Sequence, residues 1–177
     1  FLDGILENAG YVVGRYISPT IFTYLERFQI NGTYMDEDTF AVYLERVKNV
    51  ADAMAADGLN RPTSFETETA IAFCYFMDKN VDILLLETGM GGLLDATNVC
   101  KSPLCTIIAS ISMDHTQFLG DTLQKIYSQK LGIMKKDVPC VAYPVNEDLM
   151  PQWIEKCDEN ATTGFSVMVN PSDIGIL

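Results

Sequence analysis

The sequence predicts an α/β domain, a mainly parallel sheet with helices on both faces. Three observations point there. Val81–Leu86, Leu104–Ile111 and Val138–Tyr143 are short runs apolar on both faces, as strands buried between helix layers are. Stretches with apolar residues at spacings of three and four lie between some of them, so strand and helix alternate. The 177 residues, 48% of them hydrophobic and 20% charged, can bury the core of one ordinary domain and are short for two.

Taken in order, Phe1–Asn8 has the pattern of a helix, with Gly10 as its C-terminal stop. Tyr11–Ile17 is β-rich and ends at Ser18-Pro19. Residues 21–34 are mixed, with a turn at Asn31-Gly32. Asp36 can cap a helix to Ala56, where Phe40, Tyr43, Leu44, Val47, Val50 and Ala51 form one apolar stripe. Gly58–Pro62 is a loop. Ser64 is placed as the cap of a second helix to Asp78, with Thr67 in the third position and hence no capping box. The strand Val81–Leu86 follows, then Leu104–Ile111 behind Ser102-Pro103. Leu123–Met134 reads as a helix, Val138–Tyr143 as a strand, Asp148–Cys157 as a helix, and 163–169 as one more strand.

Composition narrows the function. Acidic residues number 24 and basic ones 12, a net charge of −12 that argues against nucleic acid and against an anionic membrane surface as partners. No apolar stretch approaches the roughly 20 residues of a membrane span. Five cysteines, with no CxxC pair, fit neither a disulfide scaffold nor a zinc ribbon, so a reducing cytoplasm is expected. The chain opens at Phe1 in helical pattern and closes on the apolar Gly175-Ile176-Leu177, so both ends are expected to continue into a longer protein.

Ligands of open parallel sheets bind beyond the carboxyl ends of the strands. Ser18 follows the first strand, and Glu87 with Thr88-Gly89-Met90-Gly91-Gly92 follows Val81–Leu86. Ser112, Asp114 and His115, the single histidine, follow Leu104–Ile111. If these strands lie parallel in one sheet, a hydroxyl, a carboxylate and an imidazole share one edge. Oxygen ligands with few protein contacts are what Mg²⁺ takes when phosphates complete its shell. Each residue also has a plainer reading: a turn serine, a solvated glutamate, a structural histidine. The glycine run permits close backbone approach to a ligand and equally makes an ordinary tight turn.

Lys130 falls seven residues after Leu123, inside the stripe of Leu123, Ile126, Tyr127, Leu131 and Met134; Lys125, Lys135 and Lys136 fall outside it. It is either a lysine whose stem packs while its head reaches water, or a desolvated amine able to attack an electrophile such as CO₂. The sequence holds no GxxxxGK[ST] phosphate loop and no Ser/His/Asp grouping.

Several stretches together resemble the folylpolyglutamate synthase/dihydrofolate synthase family, within the Mur ligase group. They are Ala9-Gly10-Tyr11 through Ser18-Pro19, Gln29-Ile30-Asn31-Gly32, Pro62-Thr63-Ser64-Phe65-Glu66 and Glu87 to Gly92 with Asp95-Ala96-Thr97-Asn98. Ser110 to His115 with Phe118-Leu119-Gly120, and Lys130-Leu131-Gly132-Ile133, complete the series. They stand in family order over residues 1–145.

The resemblance implies that 1–177 is part of a Mur ligase-type central ATPase domain, P-loop NTPase-like in fold. The phosphate loop and the C-terminal domain would lie outside it. It implies an ATP-dependent ligase that joins L-glutamate to a folate or dihydropteroate carboxylate through an acyl phosphate, using ATP and Mg²⁺. By motif, Ser18 and Glu87 would bind Mg²⁺, His115 a second Mg²⁺, and Lys130 would be the lysine carried as a carbamate. Thr63, Ser64, Phe65 and Glu66, with Leu94, Asp95 and Ala96, would line the pterin-bearing substrate site. Departures from the family pattern are Leu93 for Arg, Gln129 for Glu, Leu131 for Ala and Thr20 for an aromatic or His. Two further readings stand beside the ligase: a non-catalytic remnant or binding module that keeps the fold, and a Mur-type ligase with another acceptor. The chain alone is expected to be inactive and, through an exposed sheet edge, to self-associate.

Overall fold

Asp36, Thr63 and Thr122 each accept a hydrogen bond from a backbone N–H three residues on, and each starts one of the longer helices. The structure, a computed structural model, describes residues 1–143 and 145–166. It divides into two compact units, Phe1–Gly89 and Met90–Leu177.

The first unit contains α1 (Leu2–Asn8), β1 (Val13–Tyr16), a 3-10 turn (Tyr24–Arg27), β2 (Phe28–Ile30), β3 (Thr33–Tyr34), α2 (Glu37–Ala56), α3 (Ser64–Asp78) and β4 (Ile83–Leu86). Its sheet has the order β3-β2-β1-β4. β1 and β4 are parallel, with Tyr16 beside Leu86, whereas β2 and β3 are antiparallel additions from the stretch that sequence left mixed. Tyr16, Phe28, Ile71 and Phe76 are fully buried and join Tyr43, Val47 and Tyr75 in one core. α3 lies close on β1: a Cβ at Gly14 would stand 2.8 Å from Phe76 Cδ1.

Two expectations need correcting here. The cap of α3 is Thr63, not Ser64. Thr63 Oγ1 accepts from Glu66 N–H at 3.2 Å, and Glu66 Oε2 accepts from Thr63 N–H at 2.7 Å, which is a full capping box. The buried stripe of α2 is also narrower than expected. Tyr43, Val47 and Ala51 are buried and Phe40 packs beside them, while Leu44 and Val50 are exposed.

The second unit contains a 3-10 turn (Ala96–Val99), β5 (Thr106–Ile108), α4 (Thr116–Leu119), α5 (Leu123–Leu131), β6 (Cys140–Ala142), α6 (Met150–Glu159) and β7 (Gly164–Ser166). β5, β6 and β7 form an all-parallel sheet in that order. Its core joins Ile108, Tyr127, Leu131, Met134, Cys140, Leu149 and Trp153. α5 ends at Leu131, before the expected Met134, because Gly132 closes it and the chain turns there. The strand expected over 163–169 is seen at Gly164–Ser166; 167–169 lie outside the described residues.

The α/β class and the mainly parallel pairing agree with the sequence. The single sheet does not: among the described residues the ladders form two sheets, one in each unit. Apolar runs identify strands but carry no record of their partners. No described helix is long and apolar enough to cross a membrane.

Candidate active-site residues

β1 and β4 run parallel and in register, so the residues that follow them emerge side by side. Glu87 N–H donates to Tyr16 C=O at 3.0 Å, which continues the ladder one step. Ser18 N–H donates to Glu87 Oε2 at 2.9 Å. Ser18 Oγ is buried and has no hydrogen-bond partner among the described residues. A buried hydroxyl without a partner is costly, and so points to a missing ligand. Beside it stands an exposed carboxylate. Hydroxyl and carboxylate oxygens suit Mg²⁺, which keeps waters and phosphate oxygens in the rest of its shell. Among the described residues no group of three or more His, Cys, Asp or Glu side chains forms a metal cage.

The loop that begins at Ser18 is held by a residue that sequence analysis passed over. Glu26 is 6% exposed. Its carboxylate accepts from the N–H groups of Ile21, Phe22 and Thr23 at 3.2, 2.8 and 3.2 Å. The Phe22 N–H above all, with those of Thr23 and Ile21, holds this carboxyl below the usual range, against the opposing effect of burial. The signal was present in sequence: Thr23 and Glu26 have capping-box spacing. Next to Glu26, Arg27 pairs with Glu68 of α3, and Tyr24 Oη donates to the same carboxylate at 2.7 Å. Burial and Glu68 push the Tyr24 phenol well above its ordinary value.

The expected substrate residues separate into engaged and free groups. Thr63 and Glu66 are occupied by the capping box. Phe65 packs on Tyr16, with ring centroids 6.1 Å apart, and over Gly89, where a Cβ would fall 2.5 Å from its ring. Ser64 is exposed. In the second unit, Asp95 Oδ2 accepts from Met90 N–H at 2.8 Å, and Oδ1 accepts from Thr97 N–H and Oγ1 at 2.9 and 2.6 Å. Both carboxylate oxygens are thus used within the loop. Ala96 begins the 3-10 turn, and Leu94 is 89% exposed.

His115 follows β5, so it does not end a strand of the sheet that carries Ser18 and Glu87. Its φ is 49°, a left-handed conformation uncommon outside glycine, and Asp114 Oδ1 accepts from its N–H at 2.7 Å. Its Nε2 lies 3.7 Å from Asp114 Oδ2. Imidazole nitrogen is a softer donor than the oxygens Mg²⁺ prefers, so the fit is better at Ser18 and Glu87. Lys130 is half-buried in the last turn of α5, and its Nζ makes no ion pair within its unit among the described residues.

The glycine run has a definite task in the second unit. Leu93 N–H donates to Gln129 C=O at 2.8 Å, so the loop gives a second donor to a carbonyl at the end of α5 that Gly132 N–H reaches at 3.2 Å. A Cβ at Gly92 would stand 2.8 Å from Gln129 O and 3.2 Å from Lys130 O. One at Gly132 would stand 2.5 Å from Leu93 Cα. The close backbone approach expected of these glycines is to a helix end. Leu93 contributes here mainly through its Cα and Cβ, and the residue stays 49% exposed.

No family model matches the chain. It is 39% identical over 142 residues to the dihydrofolate synthase/folylpolyglutamate synthase of Bacillus subtilis, a match covering 80% of this chain and 33% of that protein. A solved FPGS–AMPPCP–folate complex superposes with a TM-score of 0.88 at 27% identity, over 93% of this chain and 40% of the other. Escherichia coli FolC in complex with DHPP and ADP superposes with a TM-score of 0.80 at 30% identity, over 92% and 37%. The chain therefore spans a third to two-fifths of the length of these proteins. Over that part, it is similar in sequence and in fold to the folylpolyglutamate synthase/dihydrofolate synthase family.

Proposed function

We propose that this chain is part of the central ATPase domain of an ATP-dependent, cytoplasmic folylpolyglutamate/dihydrofolate synthase, which joins L-glutamate to a folate or dihydropteroate carboxylate through an acyl phosphate. Complexes of relatives with AMPPCP and folate, and with DHPP and ADP, support the substrate class. The observation that carries the reading is the Ser18–Glu87 pair with its orphaned, buried hydroxyl.

In this reading Ser18 Oγ and Glu87 hold Mg²⁺. When bound, Mg²⁺ neutralises charge on phosphate oxygens, the main requirement of phosphoryl transfer to a carboxylate. Ser18 N–H fixes the glutamate by donating to Oε2, which leaves Oε1 for the ion. Glu26 keeps the loop after Ser18 in one conformation. On the family resemblance His115 would serve a second Mg²⁺, although imidazole suits that ion less well than oxygen does, and Lys130, as a carbamate, would support that region. Within the first unit Ser64 and Phe65 would contact the pterin-bearing substrate, with Thr63 and Glu66 fixing their turn through the capping box; Leu94, Asp95 and Ala96 of the second unit are assigned to that substrate on the family resemblance. The sequence contains no GxxxxGK[ST] loop, so the 177-residue chain is expected not to turn over ATP by itself. We further propose that it self-associates through the apolar edge of β4, which pairs with β1 alone among the described strands.

Mn²⁺ in place of Mg²⁺ tests the metal site. The ion is expected to broaden the amide resonances of Ser18 and Glu87, and Glu87→Gln to abolish that effect. Broadening that survives Glu87→Gln overturns the assignment. Folate-dependent ATP hydrolysis by the purified chain overturns the expectation of inactivity.

A further inference from the structure

Asn98 makes three well-formed side-chain hydrogen bonds that the proposed reaction does not use. Its Nδ2 donates to Leu93 C=O at 3.0 Å and to Gly132 C=O at 3.1 Å. Its Oδ1 accepts from Lys135 Nζ at 2.7 Å. The first bond closes the glycine-rich loop on itself. The second ties that loop to the residue that ends α5. The Leu93 N–H bond to Gln129 C=O adds a further tie. The carbonyls on both sides of Lys130, those of Gln129 and Gly132, are therefore held by donors from a segment more than thirty residues earlier in the chain. The last turn of a nine-residue helix is where fraying starts, and Lys130 sits in that turn.

We infer that Asn98 is a positioning residue for Lys130: it clasps the glycine-rich loop to the end of α5 and so fixes the backbone from which the lysine projects. The inference rests on the reading of Lys130 given above. Only an amide fits the place, because two donors and one acceptor are required at once. An aspartate would keep the Lys135 contact but turn oxygens towards two carbonyls.

Asn98→Ala, Asn98→Asp and Lys135→Met in the full chain test this through amide exchange and through cyanate labelling of Lys130. Exposed Lys125, paired with Asp121, serves as internal reference. Loss of the clasp is expected to speed exchange of the Leu93 amide about tenfold, the equivalent of one hydrogen bond. The Lys130:Lys125 labelling ratio should change several-fold in both Asn98 variants and less in Lys135→Met, with the global unfolding midpoint retained in at least Asn98→Ala. An unmoved Leu93 amide overturns the clasp. A faster Leu93 amide with an unmoved labelling ratio overturns the positioning role. A ¹³C-bicarbonate and Mg²⁺ experiment on the unmodified chain that yields no Lys130 carbamate sinks the reading of Lys130 instead, and leaves the labelling ratio to decide whether Asn98 positions it.

Discussion

Glu26 gathers three successive backbone N–H groups onto one buried carboxylate, and this makes the loop after Ser18 pH-sensitive. Its folded-state value is depressed, so the stabilisation is fully present above the unfolded carboxylate value of about 4.3 and is lost as pH falls through the lower folded value. Amide exchange at Ile21, Phe22 and Thr23 should accelerate over that acid window, and Glu26→Gln should show fast exchange already at neutral pH. A loop equally protected in the glutamine variant would refute the clamp. At the same scale, Thr63→Ala should destabilise the first unit by about 1 kcal/mol and Ser64→Ala by far less, measured by urea unfolding. The cap stands one residue before the Ser64 expected from sequence. Intrinsic capping preference slightly favours Ser over Thr, and the choice is reversed by the reach of Glu66 back to the Thr63 N–H, which is three-dimensional information. The placement of Ser18 beside Glu87, by contrast, is legible because each follows a β-rich run and parallel pairing carries both ends to one edge.

Elements were legible as types more than as extents. Leu104–Ile111 read as one strand, yet only Thr106–Ile108 pairs, and Leu104 is 80% exposed. Apolar character reports burial or its opportunity, whereas a ladder needs a partner at each position. The antiparallel β2 and β3 were missed for a related reason: two and three residues are too few to show a period. The glycine run illustrates what sequence leaves open. Its composition permitted a ligand cradle or a tight turn, and the backbone carbonyls of α5 occupy the space a Cβ at Gly92 would need. Gly92→Ala is therefore expected to cost about 1–3 kcal/mol of the stability of the second unit, with Leu93 amide protection falling first. A variant as stable as the parent would show that the loop can move off the helix end freely.

For the molecule as a whole, composition excluded more than it identified. The net charge of −12 makes close association of two copies unfavourable at long range, while the apolar edge of β4 favours it at contact. Sedimentation at tens of micromolar, an order-of-magnitude test concentration, should therefore show self-association that strengthens with added salt. A monomer at every ionic strength rules out edge pairing. The division into two units was not legible, because the motifs run across it without a break in composition. The family was legible from the order of those motifs, and 39% identity to a Bacillus subtilis relative agrees.

The single tryptophan has an optical consequence. Trp153 is 5% exposed in the core of the second unit, where its indole lies against Gly164 beside the Cys157 thiol. Six of the eight tyrosines, at 11, 16, 24, 34, 43 and 75, belong to the first unit. Red-edge excitation, which selects indole over phenol, makes Trp153 a native fluorophore for the β5–β6–β7 unit. Tyr16, Tyr43 and Tyr75 are buried in the other core and, against Tyr127 in this one, supply most of the buried phenol signal. The two halves of the chain thus carry separate spectroscopic labels, and their melting can be followed one at a time in the unmodified protein.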